Sequence, residues 1–261
     1  MDSVIVYGTL ASLAAGLATV LGALPLVFMR QPSERVLNVL LGGAAGVMLA
    51  ATAFSLVVPA IEEGGVSALV VGMLAGAAFV HLSDHLLPHE HFGLLGREGG
   101  DPTRVRRIWL FIFAITIHNF PEGLSVGVGF GSGDLAAGLT LAIAIGLQNI
   151  PEGLAVGAPL LRLGYSLRFA LIVTLCTGLV EAVGGLMGAS LVAIARPLLG
   201  YFLAFAAGAM LWVISAEIIP ETHSKERAHG ATYGVVVGFI IMAALDNLLE
   251  PLLSTITLSS H

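Results

Sequence analysis

Two six-residue motifs contain side chains whose types and spacing suit metal binding. Residues 118–123 read His-Asn-Phe-Pro-Glu-Gly, and residues 148–153 read Gln-Asn-Ile-Pro-Glu-Gly. Residues three and four apart share one face of a helix, so the polar residues of each motif project together. They are His118, Asn119 and Glu122 in the first motif and Gln148, Asn149 and Glu152 in the second. Imidazole, carboxylate and amide ligands suit zinc and similar first-row ions, so the motifs predict a site for a divalent transition metal.

A third carboxylate lies in a separate apolar segment, where Glu181 follows Gly178-Leu-Val. An ionised glutamate at the centre of a bilayer costs at least about 2.5 kcal/mol, and Glu122 and Glu152 would each bear the same cost. A divalent cation between the three carboxylates would offset it, and one carboxylate could bridge two neighbouring ions. The alternative is that the amides only join helices by hydrogen bonds, but that role requires no repeated glutamate beside a proline.

Each motif also places a proline and a glycine inside its helix. Pro121 and Pro151 each remove one backbone hydrogen bond, and a carbonyl freed in this way is tolerated at mid-membrane where it is buried or lines a wet cavity. Gly123 and Gly153 leave room for another backbone. We therefore expect a partner helix to pack closely against each motif.

The elements that must position these motifs are membrane-spanning helices. Hydrophobic residues make up 57% of the 261 residues and charged residues only 11%, against roughly 25% charged in soluble domains. Because the apolar blocks are long enough to cross a bilayer, the sequence predicts one all-α integral membrane domain, residues 1–261. Hydropathy predicts eight transmembrane helices, at residues 4–28, 36–60, 66–87, 107–130, 135–160, 167–195, 199–220 and 229–254.

The basic residues predict the orientation of these helices. Ten of the eleven lysines and arginines fall in loops on one side of the predicted arrangement, and Arg196 alone falls on the other. Because cytoplasmic loops are enriched in basic residues, both termini are expected on the extracytoplasmic side. The N-terminus lacks the basic region of a signal peptide, so the first apolar block is expected to remain as a span. No basic tract indicates nucleic-acid binding, and a single cysteine, Cys176, excludes an intrachain disulfide.

Parts of the sequence recur in antiparallel segments. The two motifs lie about half-way along spans 4 and 5, and Ala-Ala-Gly-Val-Met-Leu at 44–49 in span 2 resembles Ala-Ala-Gly-Ala-Met-Leu at 206–211 in span 7. Spans 1–3 and 6–8 are therefore predicted to be inverted halves around the central pair, an arrangement typical of transporters with a midplane site. Met48, within this repeat, is expected to pack, although its thioether could contact a soft ion at a pathway mouth.

Other polar residues are candidates for the route of an ion. Glu217 in span 7 and Asp246 in span 8 either line this route or pair with neighbours, and both interpretations remain open. Asp84 lies near a span end, where a solvated role is favoured. His89 and His91 belong to a His-rich loop that could receive metal or only trap it weakly.

The motifs match a known family. The sequence resembles the ZIP (Zrt/Irt-like) metal transporters, and among them the bacterial GufA-like branch, in both motifs, in Glu181 and in the segment Glu-Ile-Ile-Pro-Glu-Thr-His at 217–223. The resemblance covers essentially the whole chain. It implies a 3+2+3 fold of eight spans, a homodimer in the bacterial inner membrane, and movement of spans 1, 4, 5 and 6 against spans 2, 3, 7 and 8. It also implies uptake of zinc, with cadmium, iron and manganese as further candidates, as a transported substrate rather than a cofactor, by a protein that is not an enzyme.

The resemblance further implies a binuclear site. One ion would be held by His118, Glu122, Gln148, Glu152 and Glu181. The second would be held by Asn119 and Asn149 with the shared Glu122 and Glu152. Three positions depart from relatives: Asn149 stands where some have aspartate, Ala216 where some have histidine, and Asn38 at an acidic entrance position of one relative.

Three other classes compete with a metal importer. An intramembrane metalloprotease requires His-Glu-x-x-His on one helix, but Asn119 follows His118 here. A metal-gated receptor or proton channel needs an open polar path, whereas the apolar Phe120 and Ile150 adjoin the motif residues. An exporter is the nearest rival, because the chemistry of the motifs does not set the direction of transport.

Overall fold

The computed structural model describes residues 2–29, 32–86, 102–223 and 228–258, and all regular structure in these ranges is helical. The long helices are α1 (Asp2–Ala23), α2 (Glu34–Ala51), α3 (Val58–Leu86), α4 (Pro102–Gly131), α5 (Leu135–Arg162), α6 (Leu167–Ile194), α7 (Leu199–Val213) and α9 (Ala228–Leu258), with the short α8 (Ile219–His223) after α7. Turns of 3-10 helix at Leu24–Val27 and Arg196–Leu198 follow α1 and precede α7. The motifs lie inside α4 and α5, which continue through Pro121 and Pro151.

Seven apolar stretches of the described chain are long enough to cross a membrane. Six coincide with one predicted span each, whereas Arg35–Ser83 runs through predicted spans 2 and 3 as 49 residues. The break between these spans is predicted at Glu62-Glu-Gly-Gly, and the helical path does break there, at Gly65. The φ of 69° and ψ of −178° at Gly65 lie in a region that glycine adopts readily, and helix continues through both glutamates before it. The chain is therefore a multi-pass helical membrane protein.

Two π-helical turns interrupt the regular α-helix. One, Thr52–Val57, joins α2 to α3, and the other, Ile214–Ile218, joins α7 to α8. A π turn inserts an extra residue into the helix and is frequent at functional sites. In the first turn, the Ser55 hydroxyl donates a hydrogen bond of 2.7 Å to Asp246 Oδ1 on α9. This contact is the neighbour pairing that the sequence left open for Asp246.

Glycine contacts join four helices into one group and the others into two pairs. The group contains α1, α4, α5 and α6, where a Cβ atom on Gly16 would overlap the carbonyl oxygen of Gly178. The pairs are α2 with α9, where a Cβ on Gly46 would overlap the carbonyl oxygen of Val235, and α3 with α7, where a Cβ on Gly76 would overlap that of Phe205. Among the described helical glycines, each Cβ that would meet another helix meets one of its own group or pair. The closest backbone contacts at glycines therefore lie within the group and within each pair.

One pattern of helix packing occurs twice. α1 packs against α5 as α6 packs against α4, and α2 packs against α9 as α7 packs against α3. Individual residues follow this pattern: Gly46 faces Val235, and Gly208 faces Met73. The same offset in the sequence separates Gly46 from Gly208 and Met73 from Val235. The N-terminal and C-terminal helices thus pack by equivalent residues.

Candidate metal centre

The seven predicted metal-site residues are all buried. None is more than 3% exposed. They come from three helices, with His118, Asn119 and Glu122 on α4, Gln148, Asn149 and Glu152 on α5, and Glu181 on α6. The structure thus buries all seven of these polar side chains in its interior.

Hydrogen bonds connect the three helices at this point. Gln148 Nε2 donates to Glu122 Oε1 over 2.7 Å, which joins α5 to α4. Asn149 Nδ2 donates to Glu181 Oε1 over 2.7 Å, which joins α5 to α6, and also to the carbonyl oxygen of Ala15 on α1 over 2.8 Å. The two motifs and Glu181 therefore belong to one site, and α1 adjoins it.

The motif glycines explain how the helices come this close. A Cβ on Gly123 would overlap the Glu181 carbonyl oxygen, and a Cβ on Gly153 would overlap the Thr19 carbonyl oxygen. The Ser12 hydroxyl on α1 also donates to the carbonyl oxygen of Gly123 over 3.3 Å. The close partner helix expected beside each motif is thus α6 for the first motif and α1 for the second.

Many polar atoms of this site lack a protein partner. Among the described residues, one buried carboxylate oxygen of each glutamate accepts no hydrogen bond, namely Oε2 of Glu122, Glu152 and Glu181. The same holds for amide atoms, namely Oδ1 and Nδ2 of Asn119, Oε1 of Gln148 and Oδ1 of Asn149. An unpaired buried polar group costs about 1–3 kcal/mol and a charged one more. Oxygen ligation of a cation would remove this cost.

The carboxylates do not close on a single point. No three His, Cys, Asp or Glu side chains in the described ranges lie close enough together to hold one metal ion. The amide nitrogens of Gln148 and Asn149 donate to Oε1 of Glu122 and of Glu181, while Oε2 of each glutamate accepts no hydrogen bond among the described residues. A cation bound at the Oε1 atoms would displace the two amides, which could then turn their oxygens toward it.

The structure covers only part of the candidate route. Asn38 is half-buried near the start of α2, and Met48 lies in the apolar cluster that also contains Met210. The other candidates are not described: His89 and His91 lie outside the described residues, and so do the side chains of Asp84 and Glu217.

Sequence reasoning missed the contribution of α1. Ala15 accepts a hydrogen bond from Asn149, and Thr19 packs against Gly153. A signal was present, because Gly-Leu-Ala-Thr at 16–19 parallels Gly-Leu-Val-Glu at 178–181, the segment that ends in Glu181.

Comparison with known proteins identifies the family. The family model described as ZIP Zinc transporter matches residues 96–246. The chain belongs to the ZIP zinc transporter family. Zinc transporter GufA of Myxococcus xanthus is 43% identical over 248 residues, which cover 92% of this chain and 97% of the relative. Zinc transporter ZIPB of Bordetella bronchiseptica is 40% identical, over 93% of this chain and 81% of the relative, and human Zinc transporter ZIP11 is 36% identical, over 87% and 93%.

Family membership confirms the resemblance drawn from the two motifs. ZIP proteins are transporters, so this chain is not an enzyme. The names of these relatives describe zinc as their transported substrate rather than as a cofactor.

Proposed function

We propose that this ZIP protein moves Zn²⁺ into the cytoplasm by alternating access through the buried site of α4, α5 and α6. The observation that supports this most is the set of buried, unpaired carboxylate and amide oxygens contributed by both motifs and Glu181. Oxygen donors with one imidazole, that of His118, suit zinc and also admit Cd²⁺, Fe²⁺ and Mn²⁺.

The proposed topology has eight spans. Arg35–Ser83 contains 49 residues, and at 1.5 Å per residue such a helix is about 74 Å long, more than twice the hydrocarbon core of a bilayer, about 30 Å. The break at Gly65 divides it into two spans of suitable length. An even number of spans places both termini on one side, and the basic loops make this the extracytoplasmic side of the inner membrane.

The repeated packing supports inverted halves in a 3+2+3 arrangement. Equivalent residues make the contacts of α2 with α9 and of α7 with α3, as expected if spans 1–3 and 6–8 are related by a two-fold axis in the membrane plane. Transporters of this kind hold their substrate where the repeats meet. Here that position belongs to the two motifs.

The glycine contacts suggest which helices move. All seven metal-site residues lie on α4, α5 and α6, and glycines join these helices and α1 into one group. Movement of this group against α2, α3, α7 and α9 would carry a bound ion from one side of the membrane to the other. Homodimerisation would hold the pair of α2 with α9 and the pair of α3 with α7 in place.

The site is proposed to hold two ions. His118, Glu122, Gln148, Glu152 and Glu181 would bind one. Asn119 and Asn149, with the shared Glu122 and Glu152, would bind the other. Amides lack the charge of a carboxylate, so the second ion is expected to bind more weakly.

Metal uptake by proteoliposomes tests the proposal. Purified protein is reconstituted into liposomes, and a zinc-sensitive dye reports the zinc concentration. Zinc is added outside the liposomes in one experiment and loaded inside them in another, so that flux in each direction is measured. We expect zinc flux by the wild type and none by Glu122→Ala or Glu152→Ala at equal insertion. Glu63→Ala, at an exposed position on α3, is the control and should transport normally. Wild-type uptake by either site variant would refute the metal-site assignment, and binding without flux would indicate a receptor.

A further inference from the structure

Thr19 on α1 and Glu181 on α6 occupy equivalent positions. The two helices cross at Gly16 and Gly178, where a Cβ on either glycine would overlap the carbonyl oxygen of the other. Thr19 lies three residues after the first glycine, and Glu181 lies three residues after the second. The offset between Thr19 and Glu181 is the same as that between Gly16 and Gly178.

The motif glycines give the same correspondence independently. The backbone of Glu181 packs against Gly123 of the first motif, and the backbone of Thr19 packs against Gly153 of the second. If α1 is superposed on α6 and α4 on α5, Thr19 therefore corresponds to Glu181. In the same superposition Asn119 corresponds to Asn149, since these asparagines hold the same position in the two motifs.

The two equivalent pairs differ in their hydrogen bonding. Glu181 reaches Asn149 and accepts a hydrogen bond of 2.7 Å from it. The side chain of Thr19 is too short to make the equivalent hydrogen bond with Asn119. Both residues are fully buried, and Thr19 Oγ1, Asn119 Oδ1 and Asn119 Nδ2 have no hydrogen-bond partner among the described residues.

The free hydroxyl of Thr19 has a specific cause. Threonine in a helix usually donates to the carbonyl four residues earlier, as Thr52 and Thr174 do here. For Thr19 that acceptor is Ala15, whose carbonyl oxygen already accepts from Asn149 Nδ2. The second motif thus takes the usual acceptor and leaves the hydroxyl of Thr19 available to another group.

We propose that Thr19 is a specificity-determining residue of the transport site, whose hydroxyl and the amide oxygen of Asn119 form a neutral oxygen pair that contacts the transported divalent ion. This inference rests on the proposed transport of metal. A glutamate at position 19 would give the site a fourth carboxylate. Threonine keeps an oxygen donor there without adding charge, which limits the affinity for a divalent ion that must later be released.

A cysteine at position 19 tests this contact spectroscopically. Thr19→Cys is made in a Cys176→Ser background, which removes the exposed native thiol. Cd²⁺ is softer than Zn²⁺ and favours thiolate, and its bond to sulfur gives a charge-transfer absorption in the ultraviolet. We expect this absorption on titration of Thr19→Cys with cadmium, together with a rise of at least tenfold in affinity for cadmium relative to zinc.

Thr140→Cys in the same background is the matched control. Thr140 is also buried with an unpaired hydroxyl, but it lies nine residues before Asn149 on α5, about 13.5 Å along the helix. We expect no charge-transfer absorption from it.

Two variants without a thiol give a second measurement. Thr19→Val keeps the shape of the side chain but removes the hydroxyl, and it should weaken zinc binding about tenfold. Thr19→Ser keeps the hydroxyl and should restore zinc binding.

The outcomes separate this inference from the proposed function. If Thr19→Cys binds cadmium by calorimetry like its parent but shows no charge-transfer absorption, or if Thr19→Val binds zinc like the wild type, the role of Thr19 is overturned while metal transport stands. If the wild type itself binds neither metal, the proposed function fails. Should Thr19→Cys not elute as folded protein, Thr19→Val and Thr19→Ser decide the matter.

Discussion

Gln148 Nε2 lies 2.7 Å from Glu122 Oε1, and this hydrogen bond joins the two repeated motifs across α5 and α4. Asn149 makes the equivalent contact with Glu181 on α6 over 2.7 Å. In each case an amide of the second motif holds a carboxylate of another helix. In the proposed transport, a cation bound at these oxygens would replace the amide hydrogen bonds with metal–oxygen bonds, and the amides would stabilise the carboxylates again once the ion leaves.

Glu152→Gln removes one negative charge from the site and nearly preserves its volume. We expect zinc affinity to fall by at least 100-fold, about 2.7 kcal/mol, because a charged ligand is lost. Without metal, the melting temperature should stay constant or rise, since Oε2 of Glu152 has no hydrogen-bond partner among the described residues to lose. Calorimetry with zinc and melting in detergent with a chelator measure the two effects. Glu63→Gln on α3 is the control, and a parallel loss of affinity there would contradict a local effect.

Asn149→Asp should act in opposite directions with and without metal. Aspartate cannot donate, so the hydrogen bonds to Ala15 and Glu181 are lost and another carboxylate is added beside Glu181. Without metal, we expect the free energy of unfolding to fall by about 1–3 kcal/mol, which lowers the melting temperature. Zinc should then stabilise this variant more than it stabilises the wild type. Melting curves at increasing zinc concentrations test this. Equal zinc stabilisation in both proteins would show that position 149 does not face the ion.

Gly123→Ala should disrupt the contact between α4 and α6. Its Cβ would overlap the carbonyl oxygen of Glu181, a backbone atom, so the helices must separate at a cost of about 1–3 kcal/mol. We expect a lower melting temperature and weaker zinc binding. Gly146→Ala is the control on α5, because its nearest neighbours would lie 3.8 Å and 3.9 Å away. If both variants melt alike, the close contact does not limit stability.

Ser55→Ala should destabilise the protein without changing the metal site. It removes the hydrogen bond of 2.7 Å to Asp246 and leaves a half-buried carboxylate without that donor, at a cost of about 1.5 kcal/mol. Zinc affinity at the buried site is expected to be unchanged. Ser83→Ala is the control, because its exposed hydroxyl donates within its own helix, to the carbonyl oxygen of Phe79. A loss of zinc affinity in Ser55→Ala would instead connect the π turn to the ion.

The sequence predicted most of the site because its residues follow short-range rules. Apolar blocks predicted the helices, and i, i+3 and i, i+4 spacing put each set of polar residues on one face. The antiparallel order of spans 4 and 5, with one motif half-way along each, then predicted that the two motifs would face each other, and the hydrogen bond of Gln148 to Glu122 joins them. Glu181 was found because a carboxylate in an apolar block is conspicuous.

Other features could not be predicted because they depend on tertiary contacts or on single residues. The break predicted at Glu62-Glu-Gly-Gly is confirmed, but its exact residue could not be predicted, since glutamates continue a helix readily and the structure breaks the helix at Gly65. Hydropathy does not register the extra residue of a π turn at Thr52–Val57. The free hydroxyl of Thr19 depends on which residue takes the Ala15 carbonyl oxygen, and that requires knowledge of α5.

The close glycine contacts have a consequence for variation among relatives. A side chain larger than hydrogen at Gly16 or Gly46 would meet a backbone atom, so substitution there needs a compensating change on the facing helix. The surface between α5 and the pair of α2 with α9 is less constrained, because a cavity of about 390 Å³ lies between parts of these helices and reaches Gln148. We expect relatives to differ more in side-chain size along this cavity than at the glycine contacts.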